Sequence, residues 1–473
     1  MATELPRSQA RFTLSEIARE TGGKLVGADR EVAGIETDTR ALELGALFLA
    51  LRGERFDGSR FVPEAAAKGA AAFVVEDASA LPAGASGVVV ADTLRALGDV
   101  AAFHRRRLAT RVVAITGSAG KTTTKELVAD ALAATGLVVH RTRGNLNNRI
   151  GVPLTLLALD ARHDVAVIEM GTSEPGEIAR LTEIAAPDVG VLTLVAAAHT
   201  QGLGSIEEVA AEKGAMLRGL GPNAVGIANA DDAFARAALM QSSLQDRRLF
   251  GRSSDAAVRL VSTELEAELS TLAVYETKGK TRMRSLRLRL LGEAAAMNVA
   301  AALTVVASLG GDLDRASAAL QASEAVPGRM HIPDPTAAPL VIDDTYNSNP
   351  RSLELSLRAA ARLAEARGGR LVAVLGDMLE LGARSQLEHT TVVSLVASLE
   401  ARALVVVGPL MHAATETAGG TLKRVALTQV ETSRDAAAPA LAAARPEDVV
   451  LVKGSRGLRM ELALDELTRG GRS

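Results

Sequence analysis

Apolar and polar positions divide the chain into three stretches with different patterns. From about Phe12 to Arg107, short apolar runs alternate with helical patches. Residues 14–23 predict a helix, residues 46–51 a buried strand, and the glycine- and charge-rich run at 52–61 an exposed turn. This first stretch is typical of a small α/β domain.

The second stretch, from Arg111 to about Gly310, alternates apolar strand-like runs with helical segments. The strand-like runs lie at residues 112–116, 137–140, 165–169, 189–195 and 224–229. Such alternation favours a mainly parallel sheet covered by helices. Residues 257–290 instead alternate single apolar and polar positions, which predicts antiparallel strands on one edge of that sheet.

A second boundary follows at Pro327 and Gly328, where a loop rich in proline separates the helical pattern from new strands. Four more apolar runs with helical segments between them predict another open α/β sheet; they lie at residues 340–344, 371–377, 403–408 and 448–454. A chain of 473 residues also exceeds what one hydrophobic core usually supports.

The predicted fold class is therefore α/β with three domains. We expect a small N-terminal α/β domain over residues 1–108 and a central domain over 109–327, built on a parallel sheet with an antiparallel edge. The C-terminal domain, residues 328–473, is expected to be Rossmann-like.

Composition narrows the classes of function. A net charge of -3 gives no basic field for nucleic acid, and aromatic residues at 2% leave little material for stacking on bases. The absence of cysteine excludes disulfides and thiolate metal sites. The N-terminus lacks a signal-like apolar core, and the apolar run at 191–198 is too short to cross a bilayer. We expect a cytoplasmic protein, a monomer, that acts on small molecules without nucleic-acid or membrane partners.

Candidate chemistry begins with the run AITGSAGKTTT at residues 114–124. It follows a strand and opens a helix, which is the context of a phosphate-binding loop, because the turn directs backbone N–H groups and the positive helix end at phosphates. The usual loop has a glycine five positions before Gly120, where this chain has Ile115. Lys121 would reach the β- and γ-phosphates, and the Thr122 hydroxyl would ligate magnesium. A plain strand–helix turn is the alternative.

The shortened loop resembles that of the Mur ligase family, a group of ATP-dependent amide ligases. The resemblance implies that ATP and Mg²⁺ are used and that one loop binds the phosphates; its residues are Thr116, Gly117, Ser118, Ala119, Gly120, Lys121, Thr122 and Thr123.

Three further residues follow strands of the central sheet or lie on a nearby helix. Glu169 ends a predicted strand, His199 follows another, and Lys213 lies on a helix that Ser205 and Glu208 would cap. Taken singly, they read as a cap, a loop residue and a solvated lysine. The family resemblance of their segments implies that Glu169 and His199 bind magnesium and that Lys213 is carbamylated, which would make it an anionic oxygen ligand.

The resemblance also implies nucleotide-binding residues outside the loop. Asn298 matches the end of a family motif whose histidine and first asparagine are replaced here by Ala294 and Ala295. Arg329 is implied to bind ATP phosphate, and Asp344 the ribose of ATP. Because these last two belong to the final domain or its hinge, domain closure would assemble the ATP site.

Longer runs resemble the branch of the family that adds D-alanyl-D-alanine to UDP-N-acetylmuramoyl-tripeptide. They lie in all three predicted domains, at residues 37–40, 48–58, 115–128, 144–157, 343–350, 374–382 and 451–457. The implied activity is formation of an amide through an acyl phosphate.

Candidate substrate residues follow from the same resemblance. Thr39 and Arg40 would lie near uridine in an N-terminal UDP-binding domain, and Asn145 and Asn148 would bind the muramoyl part. The candidates for the dipeptide project from strand ends of the last domain: Asn347, Asn349, Lys453 and Arg456. Singly, each could equally be a loop residue that binds the backbone.

Two other functions remain open at this stage. One is another amide ligase of the family, such as a folate-polyglutamate or amino-acid-adding enzyme. The other is a nucleotide-dependent switch or motor, which would need its own acidic magnesium motif and a residue that activates water.

Overall fold

The computed structural model describes residues 4–53, 56–197, 200–266, 268–278 and 282–470. Within these ranges, each of the three stretches of sequence forms its own β-sheet. Short 3-10 turns connect some elements; they are Gly58–Phe61, Ala78–Ala80, Gly382–Arg384, Arg434–Ala436 and Arg456–Leu458.

In its described residues, the first stretch contains nine short strands and three helices. The strands are β1 Arg11–Thr13, β2 Lys24–Val26, β3 Glu31–Ala33, β4 Ile35–Glu36, β5 Leu47–Leu49, β6 Arg52–Gly53, β7 Phe56–Asp57, β8 Ala72–Val75 and β9 Gly87–Val89. The helices are α1 Leu14–Thr21, α2 Val62–Ala67 and α3 Thr93–Arg106. The main sheet has the order β2-β9-β8-β5-β4, with β2 and β9 antiparallel and the other neighbours parallel.

The second stretch forms a nine-stranded sheet. Its strands are β10 Arg111–Thr116, β11 Val139–Arg141, β12 Val165–Glu169, β13 Val189–Leu192, β14 Val225–Asn229, β15 Asp246–Gly251, β16 Val258–Glu266, β17 Ser270–Thr277 and β18 Arg282–Leu288. Its helices are α4 Lys121–Ala134, α5 Gly151–Leu157, α6 Glu177–Ala185, α7 Thr200–Leu203, α8 Ile206–Gly219, α9 Ala233–Met240, α10 Gly292–Ser308 and α11 Leu313–Ala322.

The order of this sheet is β11-β12-β10-β13-β14-β15-β16-β17-β18. Neighbours from β11 to β16 pair in parallel, and β16, β17 and β18 pair antiparallel. Both sequence predictions, the parallel sheet and its antiparallel edge, are confirmed. In a parallel sheet the strand ends that carry ligands meet along one edge, which here includes the ends of β10 and β12.

The third stretch forms an open five-stranded parallel sheet, as predicted. Its strands are β19 Leu340–Asp344, β20 Leu371–Gly376, β21 Ala403–Val407, β22 Ala426–Val430 and β23 Val449–Lys453, in the order β19-β23-β20-β21-β22. Its helices are α12 Pro350–Ala366, α13 Ser385–Ser398, α14 Pro409–Thr417, α15 Ala437–Ala443 and α16 Glu461–Gly470. No helix in the described part of the chain is long and apolar enough to span a bilayer.

Helix α3 joins the first two sheets into one hydrophobic core. Its Leu97 and Val100 are buried in the same apolar cluster as Phe12 of the first stretch and Val112 of β10. The third sheet is different, because separate apolar clusters cover its two faces and contain residues such as Leu404. The first two sheets therefore depend on each other for burial of apolar surface, and the third has a core largely of its own.

Polar side chains at the end of α3 reinforce the contact with the second sheet. His104 Nε2 lies 2.8 Å from the carbonyl oxygen of Leu159. The Arg105 guanidinium donates to the carbonyl of Ala185 and lies 3.0 Å from the carboxylate of Asp188. Because these groups are largely buried, each needs the partner that the other sheet supplies.

Calorimetry tests this division of the core. Leu97→Ala removes buried methyl groups from the shared core, so we expect a loss of about 2–5 kcal/mol in the unfolding transition of the first two sheets. Leu404→Ala is the matched control, since it should lower only the transition of the third sheet. Equal shifts of both transitions by both variants would contradict the division.

Candidate active site

A cavity of about 710 Å³ lies between the second and third sheets. Residues at the C-terminal ends of strands from both sheets line it, including Glu169 at the end of β12 and Asp344 at the end of β19. Most of the residues predicted from the sequence meet here; they are Ser118, Ala119, Gly120, Lys121, Thr122, Thr123, Asn145, Asn148, Glu169, Asn298, Arg329, Asp344, Asn347, Asn349, Lys453 and Arg456.

The loop after β10 packs closely against the end of β13 at Gly117 and against α10 at Gly120. Gly117 has a φ of 150°, and a Cβ there would lie 2.0 Å from Thr193 Oγ1. Gly120 has a φ of 82°, and a Cβ there would lie 2.8 Å from Asn298 Oδ1. A Cβ at position 117 would displace Thr193, and at position 120 the left-handed φ disfavours any residue with a Cβ, so both glycines suit the course of the loop between β13 and α10.

Hydrogen bonds fix the course of this loop. The Ser118 N–H donates to the carbonyl of Leu194 over 2.8 Å, and the hydroxyl of Thr193 donates to the carbonyl of Ala119 over 2.6 Å. The hydroxyl of Thr116 donates to the carbonyl of Met170 over 2.9 Å. These hydrogen bonds hold the loop in one course, and they use the Ser118 N–H within the protein.

Lys121 begins α4 and folds back over the loop. Its Nζ donates to the carbonyl of Gly117 over 2.7 Å. Burial lowers the pKa of Lys121, and Arg329 lowers it further, while the carboxylate of Glu169 opposes both effects. Two cations near one carboxylate leave net positive charge around the loop, which suits a polyphosphate.

Thr122 and Glu169 form a buried pair of oxygen ligands beside the loop. The Thr122 hydroxyl donates to Glu169 Oε2 over 2.8 Å, and the Asn147 amide donates to Glu169 Oε1 over 2.8 Å. A hydroxyl and a carboxylate are ligands that Mg²⁺ prefers, so this pair fits a magnesium ion. The described residues contain no cluster of three or more His, Asp or Glu side chains that could hold a metal, and the predicted ligand His199 lies outside them.

Lys213 is buried on α8, whose N-terminus has the predicted capping box of Ser205 and Glu208. It is not one of the residues that line the cavity. Burial, followed by the positive charge of Lys121, lowers the pKa of Lys213 to about 7, against the opposing charge of Glu212. Much of Lys213 is therefore a neutral amine near pH 7, which is the nucleophilic form.

The carboxylate of Glu212, the neighbour of Lys213 on α8, makes its shortest hydrogen bonds with residues at the start of α6. It accepts from the N–H groups of Gly176 and Ile178, over 2.7 Å and 2.8 Å. It also lies 3.3 Å from the hydroxyl of Thr172, which donates to it. Glu212 acts chiefly as a cap for α6, so it is a weak counter-ion for a charged Lys213.

On the opposite wall, Asp344 and Lys453 form a buried ion pair. Lys453 Nζ lies 2.6 Å from Asp344 Oδ2 and also donates to the carbonyl of Asn347. The hydroxyl of Ser356 donates to Asp344 Oδ2 over 2.6 Å, and the N–H of Met330 donates to Oδ1. These contacts join β19, β23 and the turn before β19 at the edge of the cavity.

Two guanidinium groups flank the ring of Tyr346. The guanidinium carbon of Arg329 lies 4.1 Å from the ring centroid, and that of Arg456 lies 6.0 Å from it. The Nε of Arg329 is buried and has no hydrogen-bond partner in the described part of the chain. An unsatisfied buried donor beside a cavity indicates a place for an anionic ligand.

Of the remaining predicted residues, two line the cavity and two lie away from it. Asn148 caps the start of α5 by accepting from the N–H of Gly151, and Asn298 Oδ1 lies near the loop beside Gly120. Thr39 and Arg40 do not line the cavity. Both belong to the first stretch, where the carbonyl of Thr39 accepts from Lys68 and Arg40 pairs with Asp38.

Sequence reasoning missed several polar residues that line the cavity, among them Asn147 and Tyr346. Asn147 stands in the same asparagine-rich run as Asn145 and Asn148, but the run alone does not show which amide faces Glu169. Tyr346 is one of two tyrosines in the chain, and that rarity was the available signal.

Comparison with protein families gives matches along most of the chain. The model of the Mur ligase middle domain matches residues 115–306, and the model of the Mur ligase glutamate ligase domain matches residues 328–456. The model of the Mur ligase family catalytic domain matches residues 31–105.

Curated relatives agree with the family models. A UDP-N-acetylmuramoyl-tripeptide--D-alanyl-D-alanine ligase of Escherichia coli (strain K12) is 36% identical over 97% of this chain and 99% of its own length. A protein of the same name from Bacillus subtilis (strain 168) is 33% identical over 96% and 98%.

Solved structures share the whole fold. A crystal structure of MurF from Acinetobacter baumannii matches with a TM-score of 0.86 and 32% identity, over 98% of this chain and all of that one. MurF ligase from Thermotoga maritima, solved in complex with ADP, matches with a TM-score of 0.83 and 28% identity over 93% of this chain and 97% of that one. With domain matches in all three stretches and relatives aligned from end to end, the chain belongs to the Mur ligase family.

Proposed function

We propose that this protein is an ATP-dependent ligase that joins D-alanyl-D-alanine to the terminal carboxylate of UDP-N-acetylmuramoyl-tripeptide, a step in peptidoglycan precursor synthesis. The observation that carries the proposal is one cavity in which the phosphate loop and Glu169 face Arg329, Asn347 and Arg456 of the opposite wall. Near end-to-end similarity to D-alanyl-D-alanine-adding ligases supports the choice of substrates.

The chemistry requires an activated carboxylate, because a carboxylate anion repels nucleophiles and oxide is a poor leaving group. Transfer of the γ-phosphoryl group of ATP to the tripeptide carboxylate gives an acyl phosphate and ADP. The amine of D-alanyl-D-alanine then attacks the acyl carbon, loses a proton and expels phosphate. Lys121 would stabilise charge on the transferring phosphoryl group, and Arg329 would bind the same phosphates from the third sheet.

Thr122, Glu169, His199 and Lys213 are our candidates for the magnesium sites. Bound Mg²⁺ supplies charge neutralisation at the phosphoryl oxygens. We further propose that Lys213 is carbamylated: its neutral amine adds to CO₂, giving a carbamate and releasing one proton. The carbamate removes the positive charge of an ammonium buried beside Lys121, and it adds an oxygen ligand.

The other site assignments follow the three stretches, with proposed domains at residues 1–108, 109–327 and 328–473. Each group is proposed from sequence and position. ATP would contact Thr116, Gly117, Ser118, Ala119, Gly120, Thr123, Asn298 and Asp344; the UDP-linked substrate would contact Thr39, Arg40, Asn145 and Asn148; the dipeptide would contact Asn347, Asn349, Lys453 and Arg456. Because the substrates are nucleotide-linked or small, we expect a cytoplasmic monomer with no nucleic-acid or membrane partner.

Substrate dependence separates this function from its alternatives. Sustained ADP formation by the purified protein should require ATP, UDP-N-acetylmuramoyl-tripeptide and D-alanyl-D-alanine together, and mass spectrometry should find the pentapeptide product. A switch or motor would release phosphate without either substrate. Replacing the dipeptide by L-glutamate should give no product, whereas a folate-polyglutamate type of ligase would accept it.

Lys121 offers a direct test of the phosphate loop. Lys121→Ala removes a cation that stabilises the moving phosphoryl group, so we expect kcat to fall by about 10²–10³-fold. The matched control is Lys278→Ala, which removes an exposed lysine and should leave kcat unchanged. A Lys121→Ala variant that keeps the full rate would contradict the proposed role.

Carbamylation of Lys213 can be observed by ¹³C NMR in ¹³C-bicarbonate. Because the pKa of Lys213 is lowered to about 7, its nucleophilic amine is abundant above pH 7 and is lost by protonation as the pH falls below 7. We expect one carbamate resonance that weakens below pH 7 and is absent from Lys213→Ala. That variant should lose activity and regain part of it with acetate. A resonance that persists in Lys213→Ala would assign the carbamate elsewhere.

A further inference from the structure

One side chain of the third sheet reaches the phosphate loop. Asn349 precedes α12, and its Nδ2 donates to the carbonyl of Ser118 over 3.1 Å, although 231 residues separate the two in sequence. The same side chain caps α12, because its Oδ1 accepts from the N–H of Ser352 over 2.9 Å. Both polar groups of Asn349 are therefore engaged by protein atoms.

Every polar group of Ser118 makes a hydrogen bond within the protein. Its N–H donates to the carbonyl of Leu194, and its hydroxyl donates to the carbonyl of Ala196 over 3.0 Å. The N–H of Ala196 donates back to the same hydroxyl over 2.9 Å. A displacement of Ser118 is therefore transmitted to the segment after β13, and the carbonyl of Ser118 is the point at which Asn349 joins this network.

A second contact joins the third sheet to the chain shortly beyond that segment. The hydroxyl of Thr200 donates to the carbonyl of Leu381 over 3.0 Å, and the N–H of Gln201 donates to the carbonyl of Glu380 over 3.0 Å. The third sheet thus contacts the second sheet's catalytic edge at two separated points, one on the phosphate loop and one at the start of α7.

We propose that Asn349 is a positioning residue: its amide N–H couples docking of the C-terminal domain to the geometry of the phosphate loop. The residue type supports this assignment, because Ser, Thr and Asp cap a helix as well as Asn does, but they offer no amide N–H for the Ser118 carbonyl while the oxygen caps. Helix α12 is 17 residues long and buries one face on the third sheet. A movement of that sheet therefore moves Asn349 and, with it, the hydrogen bond to the loop.

Only the expected effect of Asn349 on catalysis rests on the proposed function. Its expected effect on docking does not. Docking would place Arg329 and the dipeptide site against the phosphates, so loss of the bond should lower kcat more than the affinity for ATP. This assignment replaces the dipeptide contact proposed above for Asn349, because direct recognition of the dipeptide by that side chain would instead raise the KM for the dipeptide and leave docking unchanged.

The experiment uses the absence of cysteine in the chain to measure docking by energy transfer. Cysteines introduced at the exposed Met240 and Leu387 take a donor and an acceptor dye on the second and third sheets. Asn349→Asp keeps the cap but replaces the amide donor by an oxygen that repels the Ser118 carbonyl. With ATP and magnesium present, we expect the ratio of docked to undocked molecules to fall about tenfold.

Ser352→Ala is the matched control, because it removes the hydroxyl that bonds Asn349 N–H and leaves the amide contact with Ser118 in place. It should keep docking and kcat near those of the parent protein, while Asn349→Asp should lower kcat about tenfold with less than a twofold change in the KM for ATP. Unchanged energy transfer in Asn349→Asp would overturn the proposal. So would equal loss of docking in Ser352→Ala, which would trace the effect to the helix cap.

Energy transfer also separates this proposal from the proposed function. If the parent protein makes no product from the three substrates but Asn349→Asp still undocks, the proposed ligase reaction fails and the coupling stands. If product forms and both variants dock normally, the ligase reaction stands and the coupling fails.

Discussion

The close approach of the phosphate loop to β13 and α10 is the constraint on which the site depends. Gly117 and Gly120 leave room for Thr193 and Asn298 where any Cβ would collide with them. This packing explains how a loop shorter than the usual phosphate loop still holds its shape. The turn is fixed by neighbouring elements and by bonds from its own backbone, so it does not need the extra residues of the longer form.

A buried lysine near this loop connects the neighbouring strands to the helix that follows the loop. Lys125, one turn after Lys121, is almost fully buried and donates to the carbonyl of Thr142 over 2.7 Å. Thr142 in turn accepts from the N–H of Glu169 through its hydroxyl. The phosphate-loop helix, the end of β11 and the end of β12 are therefore tied together by one lysine. Leaving a buried polar group unpaired is costly, which favours this one arrangement of the two strands and the helix.

The sequence predicted the sheets, the antiparallel edge and the glycine-bearing turn between β10 and α4, because these features depend on local periodicity and on glycine. It did not reveal β15 or β22. β15 begins with Asp246 and two arginines, and β22 is an edge strand with exposed residues, so neither shows a buried apolar run. Contacts between strands that are distant in sequence were harder still. The pairing of Asp344 with Lys453 depends on β19 lying beside β23, and no local pattern reports which strands are neighbours.

Under the proposed function, the shared core under α3 would also affect which lengths of nucleotide-linked substrate can react. The first two sheets are joined through one apolar cluster, so the surface around Thr39 and the carboxylate of Glu169 stand on elements that share a core. A change in the distance between them would disturb the packing of that shared core. Under the proposed function, that distance would select donors by length: a nucleotide-linked chain that is one amino acid too short would leave its carboxylate away from the phosphate loop. Under the same proposal the acceptor surface would lie on the third sheet, whose core is largely its own, so that it could close on the donor already selected by length.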